Sequence, residues 1–286
     1  MVLSRLDLRC AIHAMLLAIA MICAAGSDVQ AQGKLDARYS ASLAGIPIGK
    51  GAWVVDITED QYTAAASGVT SGLLRIFASG QGTSAARGTV TGGQPVPVSY
   101  SATITADKKT DEVRMMLNGG AVKEYVAEPP LPPNPERVPI TDAHRRGVID
   151  PMTASLIRVP GAGNPVAPEA CQRTVSIFDG RMRYDVQLAF KRIDKVKADK
   201  GYQGPVVVCA IYFSPLAGYI PDRSAIKYLV NQRDMEVWLA PVTGTRVVVP
   251  FRISIPTPVG LGVLEATQFV SAALPPHPTA TSAKTQ

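Results

Sequence analysis

Histidine and cysteine are scarce in this chain, with three and four in 286 residues. Cys10, Cys23 and His13 all fall within the first 23 residues. The remaining histidines, His144 and His277, cannot build a multi-histidine metal site within one chain. No C-x-x-C occurs, which removes the dithiol oxidoreductases and the usual zinc patterns. G-x-S-x-G, H-E-x-x-H, the P-loop and the dinucleotide fingerprint are missing too, so no catalytic residue, metal or cofactor is implied. Charged residues make up 18% against 47% apolar, a balance that excludes disorder. There are no sustained heptads for a coiled coil and too few cysteines for a knottin-like scaffold.

Long apolar runs are also lacking. The longest covers residues 11–25, short of the roughly 20 a bilayer span needs. It follows Arg5 and Arg9 and precedes Val29-Gln30-Ala31, the order of a secretory signal peptide cut between Ala31 and Gln32. Residues 1–31 are therefore expected to be an export signal, with no transmembrane span after its removal. Without it the chain keeps Cys171 and Cys209, which in an oxidising compartment read as one disulfide. That bridge would close a loop of about 39 residues and contribute about 4 kcal/mol on the chain-entropy model. The net charge of +6 lies wholly in residues 141–286, which hold seventeen basic and eleven acidic residues. For an exported protein this points to anionic envelope components or to simple solubility, and not to nucleic acid.

What is present is strand pattern. Period-2 alternation predicts strands over 37–43, 51–58, 61–69, 80–90, 96–106, 112–117 and 122–126. They are separated by turn-formers such as Gly45, Gly92-Gly93, Asp107-Lys108-Lys109 and Asn118-Gly119-Gly120. Prolines 129, 130, 132, 133, 135 and 139 make residues 128–141 an extended crossing. Further strands are expected at 174–178, 182–190, 206–213, 236–240, 245–255 and 263–271, with Asp179-Gly180 as a two-residue hairpin turn. Short helices are expected at 71–78 and 151–157, the latter with Asp150 as N-cap and Pro151 at its first position. Residues 274–286 read as a disordered tail. The result is one mainly β domain over 32–273, with lobes at 35–127 and 142–273. Its large curved antiparallel sheet forms a half-barrel or open barrel with two short helices.

Charge crowds at two places. Arg181, Arg183, Tyr184 and Asp185 flank the hairpin turn, where an Arg183–Asp185 pair on one strand face would fix register and an anion-binding edge is the sharper alternative. Lys191, Arg192, Lys195 and Lys197 belong to a basic run that contacts anionic headgroups or partners, or else only blunts a sheet edge. His144-Arg145-Arg146 beside Asp142 and Asp150 reads as a solvated turn between the proline-rich loop and the helix, with an acid–base cluster as the alternative.

Phe178-Asp179-Gly180-Arg181-x-x-Tyr184-Asp185 resembles a signature of the bacterial domain of unknown function 3108 family of exported proteins. So do Tyr39 with Gly45 and Gly49, Asp150-Pro151-Met152, Cys209 through Tyr212, Pro215 to Gly218-Tyr219, Trp238-Leu239-Ala240-Pro241, and Pro250 to Thr257 with Gly260. The resemblance covers roughly residues 36–271. It implies the Gram-negative envelope and a β-rich fold, a curved-sheet or half-barrel similar to periplasmic lipoprotein carriers, and it brings no activity. The expectation is a periplasmic, non-enzymatic protein holding an apolar or lipidic ligand, or an envelope partner, on a curved sheet. Its rivals are a structural or interaction protein with a filled interior, and an envelope-polymer hydrolase. A carrier requires a cavity of several hundred Å³; the hydrolase requires two carboxylates facing across a cleft.

Overall fold

Seven strands run as a meander from the start of the domain: β1 (Gly33–Leu43), β2 (Ile46–Ile57), β3 (Gln61–Thr70), β4 (Gly80–Thr91), β5 (Gln94–Ala106), β6 (Lys109–Asn118) and β7 (Ala121–Glu128). The structure, a computed structural model, describes residues 32–71 and 80–275. The export signal up to Ala31, residues 72–78 of the first expected helix and residues 276–286 of the tail lie outside the described residues. Four connections, Ala44-Gly45, Gly92-Gly93, Asp107-Lys108 and Gly119-Gly120, are two-residue turns with positive φ at both positions. That is type I′ geometry, whose twist matches the twist of the strands it joins.

After the proline-rich crossing come α1 (Pro151–Ala154), β8 (Ile157–Arg158), β9 (Arg173–Phe178), β10 (Arg183–Lys197), β11 (Lys200–Gly201) and β12 (Gln203–Ala217). Then follow α2 (Ser224–Asn231), β13 (Glu236–Pro241), β14 (Val247–Thr257) and β15 (Gly260–Ala273). All of these strands join one sheet, thirteen of them in the order β7-β6-β5-β4-β3-β2-β1-β15-β14-β13-β12-β10-β9, with β8 paired to β14 and β11 to β15. The first and last strands pair in its middle, from Gly33↔Ala273 to Leu43↔Gly262. Each half of the chain therefore runs between that central pair and a far edge, β7 on one side and β9 on the other.

The two far edges meet without pairing strand to strand, so the sheet stays open. The segment 146–149 lies between them. Val148 N–H donates to Gly120 O (2.9 Å), Ile149 N–H to Ser176 O (3.0 Å), and Phe178 N–H to Ile149 O (3.0 Å). Val148 is buried, and Phe178 meets Tyr125 of β7 edge to face at 5.4 Å. Arg181 closes the seam: its guanidinium donates to Asp111 (2.8 Å), to Glu128 O (3.1 Å) and to Pro129 O (3.1 Å). The crossing is fixed at its other end, where Val138 and Gly218–Tyr219 exchange backbone hydrogen bonds.

Two apolar clusters result. One gathers Leu35, Val55, Tyr62, Met115, Val148 and Phe178. The other gathers Ile157, Val159, Leu188, Val207 and Leu239 around Cys171 and Cys209, which form a disulfide with Cα atoms 5.4 Å apart. Strands β14 and β15 pair only over Arg252–Thr257 and Gly260–Glu265. Beyond that point Tyr202, Phe251 and Phe269 pack together, and β11 pairs in parallel with Gln268 and Phe269.

Four local expectations need correction. The helix expected over 151–157 stops at Ala154, because Ile157 and Val159 bury on either side of Arg158 and the backbone there pairs with Val247–Val248 as β8. An unexpected helix, α2, occupies Ser224–Asn231; at two turns, with no residue fully buried, it leaves a faint periodic signal. The Asp179-Gly180 hairpin has a four-residue loop, because Phe178 pairs with Arg183 and Asp179 Oδ1 accepts from the N–H groups of Arg181 (2.8 Å) and Met182 (2.7 Å). Strand β10 continues past Phe190 through the basic run to Lys197.

Gly180 sits at φ +93°, and a Cβ there would lie 2.4 Å from Val113 Cγ1 across the seam. Gly180→Ala should cost about 3 kcal/mol through backbone strain plus this clash. Adding Val113→Ala should relieve the clash and leave the strain, so urea unfolding of the double variant should show a smaller loss than expected from adding the two single losses.

Candidate functional site

The inward positions of β1 to β4 change character along the strands. Toward one end they carry Leu35, Val55, Tyr62 and Ala86, which are buried. Toward the other, the paired positions carry Gly49 and Gly51 on β2, Ala66 and Gly68 on β3, and Gly82 on β4. Alternation keeps these residues facing inward, and their missing side chains leave space. A Cβ on Gly68 would find nothing nearer than Lys50 O at 3.7 Å. The result is a cavity of about 610 Å³, within the range of small-molecule sites. A further hollow of about 300 Å³ shares Ala66, Gly68, Gly82 and Ile104 with it and reaches Tyr100.

The wall is apolar. Tyr39, Trp53, Ile104, Ile253 and Leu264 line it, and Met152 and Ser155 come from α1 and the residue after it. Among the described residues Lys50 is the one formally charged lining residue, its side chain turned to the outer face by the alternation that turns Gly49 and Gly51 inward, and no carboxylate lines the cavity. Polar groups in the wall mostly have partners already. Tyr39 hydroxyl donates to Pro250 O (2.7 Å), tying β1 to β14, and Ser155 hydroxyl donates to Pro151 O (3.1 Å). Trp53 Nε1 is buried with no acceptor among the described residues.

Helix α1 is held by a buried acid. Asp150, fully buried, accepts from Thr153 N–H (2.9 Å) and Thr153 Oγ1 (2.5 Å). Thr153 Oγ1 in turn shares a hydrogen bond with the Tyr62 hydroxyl (2.5 Å), which fastens the cap to the floor of the sheet. Asp179 is a second carboxyl, half-buried at the hairpin turn. Burial pushes both carboxyls above the ordinary Asp range, and their hydrogen bonds draw them back only in part. Burial likewise raises the phenols of Tyr62, Tyr100 and Tyr184.

The charged residues singled out from the sequence take different partners, and none lines the cavity. Arg181 serves the seam. Arg183, buried, donates to Asp185 (2.7 Å), which also accepts from Ser176 Oγ (2.8 Å), while Tyr184 packs on Phe213 with ring centres 5.3 Å apart. Arg192 makes a two-pronged pair with Glu236 at 3.0 Å and lies over the Trp238 ring, and Lys191 joins the same carboxylate. Lys195 and Lys197 are exposed. His144 accepts from Thr141 N–H (3.1 Å) in a single helical turn over Asp142–Arg145. The sequence reading missed the glycine and alanine positions of the cavity. The available signal was Gly at strand-interior positions 49, 51, 68 and 82, which marks close approach by a ligand or another backbone.

A carboxyl raised on folding stabilises most when protonated, and that contribution is lost as pH climbs from the unfolded value near 4 toward the folded one. The isosteric Asp150→Asn keeps an acceptor for Thr153 N–H and does not titrate. The thermal midpoint of the parent relative to this variant should therefore be higher at pH 4 than at pH 7. An unchanged difference between the two pH values would refute the buried-acid account.

Among solved structures, the chain is similar to the crystal structure of a β-barrel-like protein of the domain of unknown function DUF1849 from Brucella abortus. The two are 10% identical, with a TM-score of 0.44, over 85% of this chain and 98% of that one. No curated protein matches the sequence. Among the described residues no helix is long and apolar enough to cross a membrane, and no group of His, Cys, Asp and Glu is placed to hold a metal ion. A family model described as protein of unknown function (DUF3108) matches residues 38–267, spanning the sheet from β1 to β15, and the chain belongs to that family.

Proposed function

We propose that this is an exported, non-enzymatic protein of the Gram-negative periplasm that holds an apolar ligand, such as a lipid acyl chain, in the cavity of its curved sheet. The observation that carries this reading is the wall: about 610 Å³ of space bounded by aromatic, aliphatic and glycine residues, with one formally charged residue among the described ones. Such a surface favours a body with few polar groups, since each buried polar atom without a partner costs about 1–3 kcal/mol. With no carboxylate among the described residues of the wall, these residues supply neither the acid–base pair of a glycosidase nor the counter-charge a cationic ligand would need. The arrangement of residues 1–31 and the Cys171–Cys209 disulfide support export to an oxidising compartment.

The test fills the hollow. Gly68→Leu would place four carbons where no side chain stands, at an ordinary strand conformation and without a backbone clash. Protein recovered from the envelope without detergent should carry an apolar molecule detectable by native mass spectrometry, and a soluble fluorescent apolar probe should exchange with it. Gly68→Leu should lower probe affinity at least tenfold with little change in the thermal midpoint. A parent protein that carries nothing and takes up no probe would remove the ligand-binding reading.

A further inference from the structure

The cavity-bearing end of the sheet carries a second feature, which rests on the ligand-binding reading and extends it. The β1–β2 turn and the β14–β15 turn lie side by side: Ala44 N–H donates to Leu261 O (2.9 Å), and a Cβ on Gly260 would come within 2.6 Å of Ala44 Cβ. Both turns present large apolar side chains to solvent. Val259 is 69% exposed, Ile46 54% and Leu261 42%. Across the cavity Ile104, opposite the inward-facing Gly82, is 56% exposed and also lines the hollow, as does Leu264. Rim and interior are thus one apolar surface. Scattered single hydrophobic residues on a protein surface need no explanation, but a contiguous patch running into a cavity marks a contact site.

Among the described residues around this rim basic side chains outnumber unpaired acidic ones, since Glu265, directly after Leu264, is paired with Arg252 (3.6 Å). Residues 43–48 and 256–264 contain no charged side chain. Lys50 stands exposed on the outer face of β2 beside the cavity, and the β5–β6 turn, directly after the lining residues Ile104 to Ala106, carries Lys108 and Lys109 beside Asp107. Apolar turn tips flanked by lysines match the interface of an anionic bilayer, where apolar residues enter the acyl boundary while lysines meet headgroup phosphates. We propose that this end of the protein docks on an anionic lipid surface, so that an apolar ligand passes between bilayer and cavity without crossing water. The continuity of rim and hollow favours a bilayer over a protein partner, because a docked protein would cap the cavity mouth.

Co-sedimentation with vesicles tests this, using protein recovered from the envelope without detergent. The parent should sediment with phosphatidylglycerol vesicles and at least tenfold more weakly with phosphatidylcholine vesicles. Ile46→Asp combined with Val259→Asp changes two exposed turn residues. It should weaken the first interaction at least tenfold while keeping the parent's thermal midpoint and its uptake of the soluble apolar probe. The docking proposal falls if the parent takes up probe yet ignores both vesicle types, if it binds the two lipids equally, or if the double variant sediments as the parent does. A parent that binds phosphatidylglycerol vesicles as described but takes up no probe upholds the docking surface and removes the cavity reading, so the two failures are distinct.

Discussion

The fold depends on how one continuous sheet disposes of its two far edges. An exposed strand edge offers unpaired N–H and C=O groups to any passing chain. Here β7 and β9 come together, and the four residues 146–149 supply the hydrogen bonds that direct pairing would have made. Arg181 adds a charged contact to Asp111 and two backbone carbonyls across the same seam. One short segment and one side chain thereby hold a curvature that fifteen strands share. If the seam parted, β1 to β4 would be free to flatten, and a concavity made by curvature would go with it.

This explains why part of the structure was legible in the sequence and part was not. Strand positions in the first half are local properties: alternation around Tyr39, Trp53 or Tyr62 and turn-formers at 45, 92–93 and 119–120 are enough to place them. Even the buried N-cap at Asp150 followed by Pro151 is a local signal. Closure is not local. Nothing in the neighbourhood of Arg181 indicates that its partners are Asp111, Glu128 and Pro129, between 52 and 70 positions away. The same holds for the basic run, which looks like a solvated hairpin end until Glu236, 44 residues on, is seen to accept both prongs of Arg192. Short elements failed for another reason: at two and eight residues, β8 and α2 carry too few periods for a pattern to show.

The cavity is the hardest feature to read, because it is built from what side chains omit. Composition registers 24 glycines, and most read naturally as turns. Those at 49, 51, 68 and 82 sit inside strands, where glycine is a poor strand former and weakens pairing. Pairing register, and not sequence proximity, brings them together: Gly51 lies opposite Gly68, and Gly68 opposite Gly82. A row of glycines across three strands contributes nothing to packing. In a protein selected for stability alone, larger side chains would fill the space, as they do a few residues along the same strands at Val55, Tyr62 and Ala86.

That contrast within single strands is the strongest physical argument for a site. The packed end and the hollow end share backbone, twist and hydrogen-bond register, so neither fold nor pairing demands the change from Tyr62 to Gly68 along β3. Stability is spent at one end and recovered at the other, where Tyr62 reaches Thr153 and, through it, the buried Asp150 that caps the helix beneath the cavity. Holding an acid in that interior is itself unfavourable, and four converging hydrogen-bonding groups offset it only in part. A strand system that leaves space at one end and anchors a rigid floor at the other keeps the hollow from collapsing when it is empty. For the apolar ligand proposed above, such a preformed concavity would need no prior reorganisation of the sheet.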